Sequence, residues 1–404
     1  MPEIHMLKLL AIFLAIVVVL ALKRPLYQAI LAGLLATALL YQISPLRCLQ
    51  LTVRVFTSWS SMSILVVLYL ITFLQRMMEQ RQLLRLAQQD LNGLFHNRRI
   101  NASIVPLFIG LLPSAAAMIL CGDIVKEATG GYLDRKEQAF VTNWFRHIPE
   151  SSLPTYAAVL LMSQLSGVPI PPFMLGMVVP VIVLALLGYL PYLRRLPRDP
   201  GTPPSEHRGK DALHLLQHVW TLAAILVLIL ALGVPVVWSV GIVIVAALFV
   251  YRFRWPEIKS MLRSAVEPKM LGNTFLVLVF KEFVSFTGIL KALPDFFSGL
   301  PVPMYLVFAL LFFVGGVVSG SNGIIAMGTP IAFAAIPGAG VPLMVLLMCM
   351  CHAASQVSPV HVCLVVATEY FGVSLGDLAK KTLPISLLFC VLMIGYYHLL
   401  LLIV

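Results

Sequence analysis

Ser319-Gly-Ser-Asn-Gly323 stands in the middle of an apolar run spanning residues 305–336. Two hydroxyls, a carboxamide and glycine-freed backbone groups at this spacing can ligate a small cation such as Na+, with Ser321 and Asn322 as its ligands, or donate hydrogen bonds to an anion. Ser114, in a second broken apolar stretch, is the counterpart of Ser319. Lys281 and Glu282 fall at the centre of another apolar segment, 270–290, where a charge costs about 2.5–3.5 kcal/mol on insertion scales. Lys281 is therefore read as a fixed cation that attracts an anionic substrate, and Glu282 as a coupling group. His147 and His352 precede Pro-containing segments and titrate near neutral pH, so they are read as proton carriers. The alternative for both is a histidine hydrogen-bonded to carbonyls freed where a helix stops. Ser358-Pro359 follows His352 and can satisfy the same freed groups or touch substrate.

These residues need a scaffold that carries polar groups through hydrocarbon. The 404-residue chain is 60% hydrophobic and 11% charged, with a mean hydropathy of +0.96. That composition is a polytopic membrane protein. The net charge of +11 comes from basic loops between apolar spans, the positive-inside pattern, and so excludes a nucleic-acid face. Cys349-Met-Cys351 beside His352 admits a soft-metal reading, but no second cluster stands at ligand spacing and packing explains it better. No phosphate-binding loop is present.

Apolar segments at 6–22, 25–43, 59–74, 172–190, 213–232, 234–250, 270–290 and 383–404 read as spans. Two more, 138–168 and 341–373, are interrupted near His147–Pro154 and His352–Pro359 and read as broken helices. Residues 104–122 and 303–336 contain breaks that lipid cannot repair and that survive only inside protein or beside water. They read as re-entrant hairpins, with a glycine-kinked packing helix as the alternative for the second. The expectation is an all-α membrane protein of about ten transmembrane helices plus two re-entrant hairpins. Residues 75–99 read as a basic interfacial helix and turn. Lys/Arg-rich loops at 23–24, 75–99, 191–212, 251–269 and 380–381 place one side in the cytoplasm and both termini outside, in the cell (inner) membrane.

The halves 1–191 and 213–404, joined by the basic Pro-rich loop 192–212, match at an offset of 205 residues. The shift pairs His147 with His352, Gly110 with Gly315, Ser114 with Ser319, Pro154 with Pro359 and Gly167 with Gly372. These are residues that break or polarise membrane helices. Five crossings per half turn the second half upside down, giving two inverted-topology repeats as in secondary transporters.

Asn143-Trp-Phe-Arg-His147 and Ser358-Pro-Val-His-Val-Cys-Leu-Val-Val-Ala-Thr-Glu-Tyr-Phe371 resemble the membrane family called domain of unknown function 401. The wider layout resembles the ion transporter superfamily, which includes gluconate permeases and divalent-anion/sodium symporters. That resemblance implies a Ser-Asn-Thr motif at each hairpin tip, binding sodium and substrate. Ser321-Asn322 matches it with Gly323 in place of threonine, whereas Ala115-Ala-Ala117 departs from it.

The function expected is a secondary active transporter moving a small anion, an organic carboxylate or similar, coupled to Na+ or H+. No catalytic residue and no cofactor other than Na+ is expected. The partners are the anion and the bilayer, with a homodimer admitted. The competing readings are a non-transporting sensor or assembly protein, and an intramembrane hydrolase using Asp123, Ser321 or a histidine.

Overall fold

The computed structural model describes the chain except residues 1, 23, 112–115, 200–207, 295–300 and 404. Among the described residues it is helical throughout. Helices α1 (Pro2–Ala21), α2 (Leu26–Leu40), α3 (Pro45–Thr57), α4 (Trp59–Gln80) and α5 (Leu83–Leu94) lead into a hairpin, α6 (Arg98–Ile109) and α7 (Ala116–Thr129). A broken helix follows, α8 (Arg135–His147) and α9 (Ala157–Ser166), then α10 (Ile170–Gly176) and α11 (Val178–Tyr189). The second half opens with α12 (Arg208–Leu230), α13 (Val236–Val250), α14 (Trp255–Ser264) and α15 (Pro268–Phe286). It continues through the hairpin α16 (Met304–Ser319) and α17 (Ser321–Ala335), the broken helix α18 (Gly340–Ser355) and α19 (Val362–Phe371), and α20 (Leu375–Ile403).

Element starts recur down the chain: Ala116 and Ser321, Arg135 and Gly340, Ala157 and Val362, and Ile170 and Leu375 each stand 205 residues apart. Packing follows the same exchange. α2 lies on α15 while α13 lies on α4, α3 touches α15 while α14 touches α4, and α7 meets α19 while α17 meets α9. Each hairpin also leans on the broken helix of its own half, α6 on α8 and α16 on α18.

The outside of this bundle is apolar. Leu31, Leu35 and Leu39 on α2, Val245 and Phe249 on α13, and Leu388, Val391 and Leu402 on α20 are all exposed. An apolar surface of this extent suits hydrocarbon and not water. Among the described residues, four stretches are long and apolar enough to cross a membrane: 59–80, 170–189, 208–230 and 375–403. Eight apolar helices are shorter, at 10–17 residues. At the centre the exposure reverses. Every residue of α8 from Glu137 to His147, and of α18 from Pro342 to Ser355, is buried. A helix enclosed on all sides must pair every polar group internally.

Several boundaries differ from the sequence reading. The α4 helix runs on to Gln80, so residues 75–80 belong to a span and only α5 is a separate amphipathic helix. The cause is pairing: Arg76 reaches Glu79 at 2.9 Å and Glu267 at 3.0 Å, which lets basic residues continue the helix. Lys380 and Lys381 lie inside α20, not in a loop, and Lys381 Nζ is 3.7 Å from Glu137. The α3 helix was not expected at all. Its apolar residues alternate with polar ones, and Ser44 caps it at the Arg47 N–H. The second hairpin is two helices packed against each other and not one kinked helix.

Its reversal rests on Gly320, with φ 76° and ψ 161°. This region is open essentially to glycine alone. Gly320→Ala is expected to cost about 1–3 kcal/mol through backbone strain, read as a lower melting temperature of the detergent-solubilised protein. A melt equal to wild type would place the reversal elsewhere.

Outside the spans, Arg81 grips Glu257 with two N–H groups at 2.8 and 3.2 Å, and the Arg254 N–H donates to the same carboxylate at 2.7 Å. These bonds, Arg81's first, hold the Glu257 carboxyl at about 2 against an ordinary 4.5. A depressed carboxyl contributes stability above its unfolded pKa and loses it as pH falls through the folded one. Glu257→Gln should therefore lower the melting temperature at neutral pH and match wild type near pH 2. A deficit of equal size at both pH values would exclude the ionic contribution.

Candidate functional site: the helix breaks and their cavity

A proline follows each stop. Pro149 lies in a single 3-10 turn, Ile148–Ser151, that continues from the end of α8, and Pro359 stands four residues past the end of α18 at Ser355, so neither helix can resume there with a full hydrogen-bond ladder. Asp134 starts α8 with a capping box to Glu137, whose carboxylate also takes Arg195 at 2.8 Å, so this polar helix can be buried. After each break the chain resumes as a short apolar helix closed by a left-handed glycine, Gly167 or Gly372.

A run of hydrogen bonds ties the breaks to each other. Asn143 Nδ2 donates to Gln356 Oε1 at 2.8 Å. Gln356 Nε2 lies 3.2 Å from His352 Nε2, and His352 Nδ1 lies 3.1 Å from Ser151 Oγ. An amide nitrogen can only donate, so His352 Nε2 accepts and its Nδ1 carries the proton toward Ser151. Both ring nitrogens of His352 are thereby committed. Ser358 Oγ donates to Val317 O at 2.7 Å, fastening the second break to the end of α16.

The second corner is built from both halves. His147 Nδ1 is 2.5 Å from Asn143 O, which can only accept, so the proton sits on Nδ1 and Nε2 offers a lone pair. His361 Nε2 lies 2.9 Å from that lone pair and donates to it. Glu150 Oε2 is 3.6 Å from His147 Nε2 and 3.9 Å from Arg146. Cys363 completes the corner, with its sulfur and the two histidines' ligating nitrogens within 4.8 Å of one another.

The corner opens on a cavity of about 860 Å³. Its wall includes Ser319 to Gly323, Glu150, His361 and Cys363, together with the cations Arg24 and Lys269 and with Asn273. Smaller cavities of about 260 and 280 Å³ adjoin it, and Asn322 borders all three. The tip brings two helix ends together: the C-terminus of α16, partially negative, and the N-terminus of α17, partially positive. The first hairpin meets the same centre from its own side. Gly110 lies so close to α8 that a Cβ there would stand 2.0 Å from Arg146 O, and Tyr156 donates its hydroxyl to Gly110 O.

A family model described as "Protein of unknown function (DUF401)" matches residues 6–401. The chain belongs to this family. No curated protein matches it. Its fold is similar to that of the Alcanivorax borkumensis YdaH transporter, with a TM-score of 0.61, 12% identity and 89% of each chain covered. It is also similar to Neisseria gonorrhoeae MtrF, described as illuminating a class of antimetabolite efflux pumps. There the TM-score is 0.54 at 13% identity, covering 87% of this chain and 83% of MtrF. At these identities the likeness is one of fold.

Within this DUF401 chain the residues singled out from sequence divide. Ser319, Gly320, Ser321, Asn322, Gly323 and Pro359 line the main cavity, and Ser358 is buried just behind it. Ser319 spends its hydroxyl on Gly315 O at 2.7 Å, and Ser321 reaches Cys351 O at 3.4 Å. The Asn322 side chain is exposed at the cavities. Ser114 lies outside the described residues. Lys281 and Glu282 border none of these cavities. Lys281 is twelve residues beyond Lys269 on α15, about 18 Å at 1.5 Å per residue, and Glu282 turns to Arg54 at 3.6 Å. The cations at the cavity are Lys269 and Arg24, which the sequence offers only as members of basic loops. Cys349 and Cys351 are buried and free and form no ligand cluster. Cys363 carries a signal only in hindsight, as a polarisable residue just after a break.

Gln356→Leu would leave the Asn143 amide and His352 Nε2 buried without partners. It should cost about 1–3 kcal/mol for each orphaned group, read by thermal unfolding in detergent. An unchanged melt would mean that water replaces the glutamine.

Proposed function

We propose that the chain is a secondary active transporter that moves a small anion, an organic carboxylate or similar, coupled to Na+ or H+. The observation that carries this reading is the cavity of about 860 Å³ between the Gly320 reversal and the two helix breaks, lined by the cations Arg24 and Lys269 and by Glu150. Arg24, Lys269 and the N-terminus of α17 attract the anion. The C-terminal carbonyl end of α16, with Ser321 and Asn322, supplies oxygen ligands for Na+. The first hairpin has no Ser-Asn pair, so one sodium site is expected and not two.

The same reading makes the halves inverted-topology repeats of five crossings and one re-entrant hairpin each, as in the ion transporter superfamily. The exchanged packing of α2 on α15 and α13 on α4 supports it. The arms of α16 and α17 are about 22–24 Å long at 1.5 Å per residue, short of a hydrocarbon core of about 30 Å. Both termini then lie outside the cell membrane and the loop at 192–212 lies in the cytoplasm. A single cysteine placed at Arg208 should react with an impermeant maleimide only in inside-out vesicles. Labelling in right-side-out vesicles would invert the topology.

Transport is tested with purified protein in liposomes, against carboxylates, sulfate and phosphate, with an imposed Na+ or H+ gradient. Asn322→Ala and Lys269→Met should each cut uptake by tenfold or more, about 1.4 kcal/mol or greater, whereas Lys281→Met should leave it unchanged. Equal losses from Lys269→Met and Lys281→Met would separate the anion site from this cavity, and gradient-independent flux would refute coupling.

A further inference from the structure

The corner where the broken helices meet has the donor set of a metal site. We propose that His147 Nε2, His361 Nε2, Cys363 Sγ and Glu150 bind one divalent cation of the zinc class, a role that does not depend on what the chain transports. Among the described residues this is the one trio of His, Cys and acidic ligands whose donor atoms converge, all within 4.8 Å of one another. Glu150 Oε2, 3.6 Å from His147 Nε2, stands beside the trio and would have to swing inward to serve as the fourth donor. In a tetrahedral zinc site, metal–nitrogen bonds near 2.0–2.1 Å and metal–sulfur bonds near 2.3 Å put the donors about 3.3–3.8 Å apart. The histidine nitrogens, at 2.9 Å, must part slightly, and the widest pair must close by about an ångström.

Three further features fit. His147 already directs its Nε2 lone pair into the corner, because Nδ1 donates to the Asn143 carbonyl at 2.5 Å, the outer bond that metal-ligating histidines use. A thiolate and a carboxylate offset the ion's two charges, with the Arg146 guanidinium standing beside them, 3.9 Å from Glu150. Glu150, His361 and Cys363 border the main cavity, which provides an entry path. The mixed nitrogen, sulfur and oxygen set disfavours Mg2+ and Ca2+, which take oxygen ligands.

Binding balances as follows. The metal–sulfur bond forms as Cys363 releases its thiol proton to cavity water. The His361 proton moves from Nε2 to Nδ1, freeing the nitrogen lone pair that now bonds the metal. Nothing is oxidised or reduced. The bound ion bridges the break of the first half to the start of α19 in the second.

The experiment titrates the metal-stripped, detergent-purified chain with Co2+. The expected result is one equivalent bound, with a thiolate-to-cobalt charge-transfer band in the near ultraviolet and intense visible bands of a tetrahedral site, all displaced by Zn2+ and not by Mg2+. Cys363→Ser should abolish the charge-transfer band, His361→Ala should weaken binding at least tenfold, and Cys48→Ser should change neither. A charge-transfer band that survives in Cys363→Ser, displacement by Mg2+, or the absence of one-equivalent saturation would overturn the proposal. Should either variant fail to fold, alkylation of wild-type protein decides: Zn2+ must protect Cys363 from a thiol reagent, and unchanged modification refutes the site.

Discussion

Two helices stop inside the protein, and everything their ends expose has to be satisfied without bulk water. The hydrogen-bonded run from Asn143 through Gln356 and His352 to Ser151 meets part of that constraint and links the two breaks to each other. An orphaned polar group here costs far more than one hydrogen bond contributes, because its desolvation is not repaid. The enclosing helices α8 and α18 follow from the same demand. They must be buried on every face, and α8 can be so only because Glu137, Arg195 and Asp134 neutralise its polar start.

Close approach of backbone supports this centre. Gly110 lets the first hairpin touch the Arg146 carbonyl, and Gly316 stands so near α18 that a Cβ would be 2.7 Å from that of Ala354. Small residues substitute for a hydrophobic driving force in lipid, where helices gain by packing and not by leaving water. The resulting cavity is bounded by elements of both halves, so a movement of one half against the other alters its access. A structural likeness to the YdaH transporter and to MtrF at 12–13% identity accords with a scaffold kept by packing rules and not by particular residues.

Electrostatics then divides the cavity. Arg24 and Lys269 sit where helices meet the basic ends of the bundle, whereas Glu150 and the histidine pair lie at the breaks. On the proposed function, cationic and anionic side chains lining one chamber would favour an anion and a cation together, each lowering the cost of admitting the other. Lys281, the charge that looks most expensive in the sequence, stands outside that chamber, and its neighbour Glu282 pairs with Arg54 at 3.6 Å.

Much of this was legible in the chain itself. Glycine and proline cannot sit mid-helix without consequence, so the hairpin tip at Ser319–Gly323 and both breaks were marked by composition alone, as was the 205-residue echo between halves. Hydropathy set the apolar exterior, since lipid-facing residues need only be apolar. Other features were decided by tertiary structure. Whether a polar helix such as α8 is buried depends on partners more than forty residues away, and its own pattern reads as amphipathic. His361 and Cys363 join His147 across 214 and 216 positions, a convergence that no local spacing encodes. A charged residue's cost depends on the face it occupies, which is why α15 presents Lys269 to the cavity and keeps Lys281 away, although both are lysines on one helix.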